Sequence, residues 1–442
     1  MHIAGTKGKG STCAFVRSFL QVHGLRTGFP QNVGLYTSPD LRGVRERIQI
    51  NDNPITEELF TRYFYEVWER LDMSRPGSTI SGDRSPRFLQ LMTLLAFHTF
   101  IKEGTDATIV ETHHGGEFDA TNFIKQPVVT AVTPIGMDHV AQLGPTIENI
   151  AWHKAGIFKS GALAYSASQD WHVKHILQQR ALEKNVDLKV VEAKDSLSEN
   201  AKVLEISVQR QNCSLALEIA NGFLEKTSPT GHRLSEHDVA EGVQNFNWPG
   251  RFQIIPEGKN TWYVDGAHNN MSVEEAAIWF SKTSTTVENN DSETLHSPTI
   301  LIFTHLSEKR DGLEVLRSLA GSLKTHACSF HHIVFTTFDV HDDGKHGSGE
   351  SASTIHSNRA SILQSDAIPD PAFNSALKTY TNFWEKSHPG STVVSKASIY
   401  RAIDYARHVG QERGTRTLIT GSLHLVGGAL RILSPKIGRA HV

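Results

Sequence analysis

The stretch His2-Ile3-Ala4-Gly5-Thr6-Lys7-Gly8-Lys9-Gly10-Ser11-Thr12-Cys13 decides how the rest of the chain is read. Ile3 and Ala4 read as the end of a short apolar strand. The glycines read as a loop, and Phe15, Val16, Phe19 and Leu20 as one face of an amphipathic helix. Glycine lets the backbone wrap closely round a phosphate, because no Cβ blocks the approach and positive φ is open to it. The helix that follows points its unpaired N–H groups and positive dipole end at the same anion. Lys9 then supplies a mobile positive charge, and Ser11 or Thr12 a hydroxyl for phosphate or Mg²⁺. A bare Gly/Lys/Ser turn joining strand to helix is the competing account. The apolar strand and helix on either side favour a nucleoside triphosphate.

A chain of 442 residues exceeds one ordinary core, so two domains are expected. With 38% hydrophobic and 21% charged residues the composition is that of a soluble globular protein. The formal net charge of -3 and the lack of a basic stripe argue against a nucleic-acid partner. No apolar run reaches the length of a membrane span. Cys13, Cys213 and Cys328 are few, odd in number and far apart, which points to a reducing compartment. Met1 stands directly against the first strand, so a start further upstream is expected. Residues 437–442 resemble the product of a sequencing adapter and are expected to be an artefactual tail.

Strands and helices alternate along the chain. Val33 to Pro39 reads as a strand running into a polar turn, which puts Ser38 where open α/β sheets place ligand groups. Thr56 to Met73 and Pro86 to Lys102 read as helices, the second with Phe88, Leu91, Met92, Leu95 and Thr99 on one face. The strand Ala107 to Val110 ends at Glu111. A carboxylate there is costly unless paired or bound to a cation, so Glu111 is a candidate Mg²⁺ ligand. Pro127 to Ile135 is a further apolar strand, and His139 just beyond it, taken as lying on a neighbouring strand end, is a candidate second ligand. Thr146 opens a helix containing Lys154, which spacing alone leaves as either a surface lysine or a group near the phosphates. Another helix begins at Asn212. Proline and glycine in Trp248-Pro249-Gly250-Arg251 mark the domain junction. The second part opens with a strand ending at Asp265-Gly266-Ala267-His268-Asn269 and closes with a strand and glycine turn, Ser422 to Gly428, before a last helix. Ser281 to Ser297 and Asp339 to Ser357 read as polar loop insertions. The expected fold is α/β: an N-terminal P-loop ATPase-like domain with a parallel sheet over residues 1–248, and a smaller Rossmann-like α/β domain over 249–436.

Taken together, eight blocks in this order resemble the folylpolyglutamate synthase family, within the ATP-dependent amide ligases that include the Mur ligases. They are H-I-A-G-T-K-G-K-G-S-T, Y-T-S-P with R-E-R-I-Q-I-N, E-T-H-H-G-G-E-F-D-A-T-N, M-D-H with L-G-P-T, W-H-K-A-G-I-F-K, W-P-G-R, D-G-A-H-N and T-G-S-L-H-L-V-G-G. The H-H-G-G and R-D-G forms look most like the fungal branch. The resemblance implies a two-domain ligase of folate one-carbon metabolism, with a Mur ligase-type ATP-binding domain and a C-terminal ligase domain. ATP phosphorylates the terminal carboxylate of a tetrahydrofolate or its polyglutamates, and the amino group of L-glutamate attacks the acyl phosphate. It implies further that Gly8, Lys9, Gly10, Ser11, Asn212, Arg251 and Asp265 contact ATP, and that Ser38, Glu111 and His139 hold Mg²⁺. Lys154 matches a lysine carried as a carbamate, and His268 faces the place where glutamate enters, so that Lys9, Lys154 and His268 are the catalytic set. A monovalent cation is a further cofactor of the family. A monomer working in the cytosol, with a mitochondrial form where a presequence is present, is the implied setting.

Three departures from the family stand out. Asp40 replaces the usual histidine after Ser-Pro, where a carboxylate is expected to join the metal shell or weaken phosphate binding. The helix that precedes the glycine loop in the family is not in this sequence. The segment Thr304 to Asp311 keeps Arg310-Asp311 without the usual asparagine-type residue. Two alternatives stay open at this point: a dihydrofolate synthase, alone or as a bifunctional enzyme, and a nucleotide-binding homologue that has lost activity.

Overall fold

The structure, a computed structural model, describes all residues except 72–85, 196, 198–200, 230, 232, 287–296, 308–310, 341–370 and 435–442. Arg310, the tail at 437–442 and most of both polar insertions therefore lie outside the described residues. The chain divides into two compact units, Met1–Asp40 with Arg45–Trp248, and Leu41–Val44 with Pro249–Val442.

The first unit is built on an eight-stranded sheet. Its strands are β1 (His2–Ala4), β2 (Val33–Tyr36), β3 (Ile48–Ile50), β4 (Asn53–Pro54), β5 (Ala107–Glu111), β6 (Val129–Val132), β7 (Leu163–Ala167) and β8 (Leu188–Val191). The order is β4-β3-β2-β5-β1-β6-β7-β8. From β2 to β8 all neighbours run parallel, and β3 and β4 add an antiparallel edge. Parallel strands covered on both faces read as continuous apolar runs, and β2 and β6 are buried at every position. β1 lies between β5 and β6, so Glu111 and His139 do not follow neighbouring strands as the sequence suggested. The glycine loop after β1 separates them.

Helix α1 (Lys9–Thr27) follows β1 and is buried on nearly all sides, not on one face as its apolar pattern suggested. Its polar residues have fixed partners. Arg17 donates to Gln49 at 2.6 Å and pairs with Asp52 at 2.6 Å, and Ser18 donates to the Gly242 carbonyl at 2.6 Å. Phe15 stacks on Phe246 with centroids 3.7 Å apart, in a core shared with Leu215, Ala216 and Ile219 of α7 (Ser207–Thr227). α2 (Glu57–Leu71) starts after Thr56, whose hydroxyl accepts the Leu59 N–H at 3.2 Å. In α3 (Phe88–Lys102) the expected core stripe is buried at Met92, Leu95 and Thr99, while Phe88 is 43% exposed. α4 (Val140–Leu143), α5 (Ile147–Ala155), α6 (Trp171–Glu183) and α8 (Glu236–Gln244) complete this unit.

The second unit carries a six-stranded sheet of β9 (Gln253–Glu257), β10 (Asn260–Val264), β11 (Thr299–Phe303), β12 (His332–Thr336), β13 (Thr392–Lys396) and β14 (Arg416–Thr420), in the order β13-β12-β11-β14-β10-β9. All neighbours are parallel except β9 with β10. Its helices are α9 (Asn270–Thr286), α10 (Gly312–Thr325), α11 (Pro371–Ser387), α12 (Ile399–Val409) and α13 (Leu423–Leu433). α9 runs into what the sequence suggested was the first loop insertion. Gly427 and Gly428 lie inside α13 and make no turn before it. Ser422 caps that helix by accepting the His424 N–H at 3.1 Å, and a Cβ on Gly427 would lie 1.8 Å from the Leu41 carbonyl, so close packing explains the glycine.

Candidate active site

The loop after β1 is held by its neighbours before any ligand arrives. Thr6 and Lys7 donate their backbone N–H groups to the Pro134 carbonyl at 3.0 and 3.2 Å, and Thr133 donates its hydroxyl to the Lys7 carbonyl at 2.5 Å. Gly8 has φ +82°, in the left-handed region, and a Cβ there would stand 2.2 Å from Asn212 Oδ1. Only glycine suits that position. Asn212 thus lies against the loop from the second turn of α7, which begins at Ser207 and not at Asn212 as the sequence suggested. Its amide donates to Gln209 at 3.1 Å. Gly10 and Ser11 lie in the first turn of α1, where backbone N–H groups have no helical partner.

Glu111 is 4% exposed at the carboxyl end of β5. One of its oxygens accepts the Thr37 hydroxyl and, at 3.3 Å, the Ser38 N–H; the other lies 3.9 Å from Lys9 Nζ. Lys9, Ser38 and Glu111 are therefore gathered at one end of the sheet. Lys154 is there too. Buried in α5 at 2% exposure, it donates to the Gly5 carbonyl at 2.8 Å and the His114 carbonyl at 3.1 Å. Burial, with the positive charge of Lys9 and Lys7 acting the same way, holds its pKa well below the usual lysine value against the pull of Asp138 and Asp119. Lys154 is therefore not a surface lysine. His139, with φ +52°, stands at the N-terminal boundary of α4 and sets its ring against His114, centroids 4.5 Å apart.

Several groups that sequence reasoning did not single out support these. Asp138 pairs with Lys7 at 3.6 Å. Asp119 fastens the loop after Glu111, accepting the backbone N–H groups of His113 at 3.0 Å and His114 at 3.2 Å and pairing with His113 Nδ1 at 3.1 Å. Burial opposes its ionisation, but the hydrogen bond and charge of His113 and the bonds from Thr121 outweigh that and hold its carboxyl well below the usual range. The signal was present: an Asp two residues before a Thr at the start of a turn is a backbone-capping pattern. Asp40, expected near the metal, instead accepts Arg47 Nε–H at 2.6 Å.

In the second unit, Arg251, Asp265 and His268 meet around Gly266. Asp265, 3% exposed, accepts the N–H groups of Phe252 and Ala267, each at 2.9 Å. A Cβ on Gly266 would lie 2.5 Å from Arg251 Nη1, so the guanidinium passes over that glycine. His268 Nδ1 lies 2.7 Å from the Gly266 carbonyl, which fixes its proton on Nδ1.

Among the described residues no three His, Cys, Asp or Glu side chains gather as a metal cage.

No protein-family model matches the chain. A folylpolyglutamate synthase of Neurospora crassa is 37% identical over 445 residues, spanning 98% of this chain and 81% of that protein. A probable folylpolyglutamate synthase of Schizosaccharomyces pombe is 37% identical over 449 residues, 99% of this chain and 84% of its own. The chain belongs to the folylpolyglutamate synthase family. Solved structures of similar fold include the Mycobacterium tuberculosis folylpolyglutamate synthase complexed with ADP and AMPPCP, at TM-score 0.72 and 22% identity over 98% of this chain and 90% of that one. E. coli FolC in complex with DHPP and ADP follows at TM-score 0.69 and 23% identity, covering 98% and 88%. No helix among the described residues is long and apolar enough to cross a membrane.

Proposed function

We propose that the protein is an ATP-dependent ligase that adds L-glutamate to the γ-carboxylate of tetrahydrofolate or its polyglutamates, through an acyl phosphate. The observation that carries this is the gathering of Lys9, Ser38, Glu111 and Lys154 at one end of the first sheet, in a chain related over nearly its whole length to folylpolyglutamate synthases. Residues 1–248 are read as the ATP-binding ligase domain and 249–436 as the C-terminal ligase domain.

A carboxylate is a poor electrophile because its leaving group would be oxide; phosphorylation replaces that with phosphate. The transfer needs neutralisation of charge and exclusion of water more than covalent help. Gly8, Gly10 and Ser11 offer backbone N–H groups and a hydroxyl to the phosphates, and Lys9 adds positive charge beside them. Ser38, Glu111 and His139 are the residues that would hold Mg²⁺, which supplies charge to the transferring phosphoryl group. Asn212, Arg251 and Asp265 are assigned to ATP. His268, its proton fixed on Nδ1, presents Nε2 as the base for the ammonium of glutamate.

Lys154 is assigned as the carbamate lysine. Its lowered pKa favours the free amine, which adds to the carbon of CO₂, forming an N–C bond and releasing a proton. The product places an anion beside Lys9 and Lys7, whose positive charges disfavour the protonated amine there and attract the carbamate. Loss of activity in CO₂-depleted buffer and its return with bicarbonate are expected; activity indifferent to bicarbonate refutes the assignment. The enzyme is taken to act as a monomer in the cytosol or mitochondria.

The test is phosphate release from ATP with Mg²⁺, glutamate and either tetrahydrofolate or dihydropteroate, with mass spectrometry of the pterin product. Extension of tetrahydrofolate is expected. Extension of dihydropteroate alone would make the enzyme a dihydrofolate synthase, and no product with either would leave a nucleotide-binding homologue.

A further inference from the structure

The turn carrying Ser38 is tied at both ends to one residue. On the near side the Thr37 N–H donates to the Arg47 carbonyl at 3.0 Å. On the far side Arg47 Nε–H donates to Asp40 Oδ1 at 2.6 Å, with the two side chains 2% and 6% exposed. The guanidinium also lies 5.1 Å from the centroid of the Phe88 ring at the start of α3. Arg47 ends a short 3₁₀ turn (Val44–Arg47) that leads into β3, and β3 pairs antiparallel with β2. One arginine thus closes the turn on the sheet, with its backbone at one end and its side chain at the other. The residues between, Leu41–Val44, belong to the second unit, where Leu41 packs on the core around Trp262 and Val426.

We infer that Asp40 and Arg47 form a clasp that fixes the Ser38 turn against Glu111, and that both are positioning residues for the metal and phosphate site and not ligands of it. A guanidinium is a planar fork with a fixed donor direction, so it orients its acceptor as well as neutralising it. The two opposite charges are also buried together, so removing either one ends the bond that holds the turn. An Asp40 carboxylate engaged in this way adds no net negative charge to the phosphate cradle. Its effect on turnover passes through the Ser38 turn, whose amide in turn meets Glu111.

This rests on the assignment of Ser38 and Glu111 to the Mg²⁺ site, so two readouts are used. Amide hydrogen exchange over residues 36–40 reports the turn with no ligand present, and the Mg²⁺ dependence of ADP binding reports the consequence. Asp40→Ala, Arg47→Ala and the double variant should speed exchange at Thr37 to the same extent. Each should raise the half-saturating Mg²⁺ concentration roughly tenfold, as expected for loss of a group that orients a metal ligand, with the double no worse than either single. Asp40→Glu, which keeps the charge and the acceptor, should restore both readouts toward wild type. Arg47→Lys, which keeps the charge without the fork, should not. Should the alanine variants fail to fold, that pair carries the test. Effects of the two single changes that multiply in the double, or unchanged exchange in Arg47→Lys, would overturn the clasp. A raised Mg²⁺ requirement in Asp40→Ala with unaltered exchange at Thr37 would overturn it too, by placing Asp40 in the metal shell. Wild-type ADP binding that ignores Mg²⁺ would refute the metal assignment and leave exchange to decide the clasp.

Discussion

Lys9 and Glu111 lie 3.9 Å apart, near enough for their charges to interact and too far for a hydrogen bond. Each is therefore positioned without being consumed by the other. Lys9→Ala should lower kcat by about 10² to 10³, the usual effect of deleting one group that stabilises developing charge, with the thermal midpoint little changed, because no hydrogen bond ties Lys9 to Glu111. Phosphate release and a melting curve check both halves. Glu111→Gln keeps the shape and can still accept from Thr37 and Ser38, but removes the charge. The half-saturating Mg²⁺ concentration should rise at least roughly tenfold, and an unchanged Mg²⁺ titration would remove Glu111 from the metal site. At this scale the sequence was most legible for strand-end residues, because the end of an apolar run is visible without a fold. For Asp40 and Asp119 the residues were visible in the sequence but their pairing with Arg47 and His113 was not, because folding makes those pairs.

Among the elements, α1 shows how a binding loop is kept rigid. Its far end is tied to α8 by Asp238, which accepts from Arg26 at 2.6 and 2.8 Å and lies 3.0 Å from His23 Nδ1, while capping its own helix through Ser235. Burial works against ionisation of Asp238, but the Arg26 bond, the Ser235 backbone bond and His23 outweigh it and lower its pKa. A carboxyl lowered on folding stabilises the fold above the pKa it has when unfolded, and that contribution is lost as the pH falls. Asp238→Asn should therefore cost about 2 kcal/mol at neutral pH, discounted from a fully buried pair because Arg26 is half exposed. The gap to wild type should narrow from about pH 5 downwards. Denaturant melts at several pH values measure it, and a gap independent of pH would show that charge is not the cause. The sequence placed α1 but misjudged its surroundings, since apolar periodicity records only the apolar contacts. The polar residues Arg17, Ser18 and His23 are buried by partners on other elements that apolar periodicity does not record.

For the molecule as a whole, ligand binding and stability are linked. Mg²⁺ with ADP at about a hundred times its Kd should add about 2.7 kcal/mol to the stability of whatever binds it. For a protein of this size that is a rise of roughly 3 °C in the melting temperature. Lys9→Ala should lose most of that shift, and an equal shift in both proteins would separate nucleotide binding from this loop. The sequence by itself determined the α/β class, the glycine loop on β1, the strand ends bearing Ser38, Glu111 and Asp265, and membership of a ligase family. These follow from local composition and from the order of motifs along the chain. Only the tertiary structure decided that β1 separates Glu111 from the strand before His139, that Lys154 is buried against the loop, that Leu41–Val44 belongs to the second unit, and that Arg47 holds Asp40. Strand order and charge pairing depend on contacts between residues distant in sequence or on separate elements, and no local pattern encodes them.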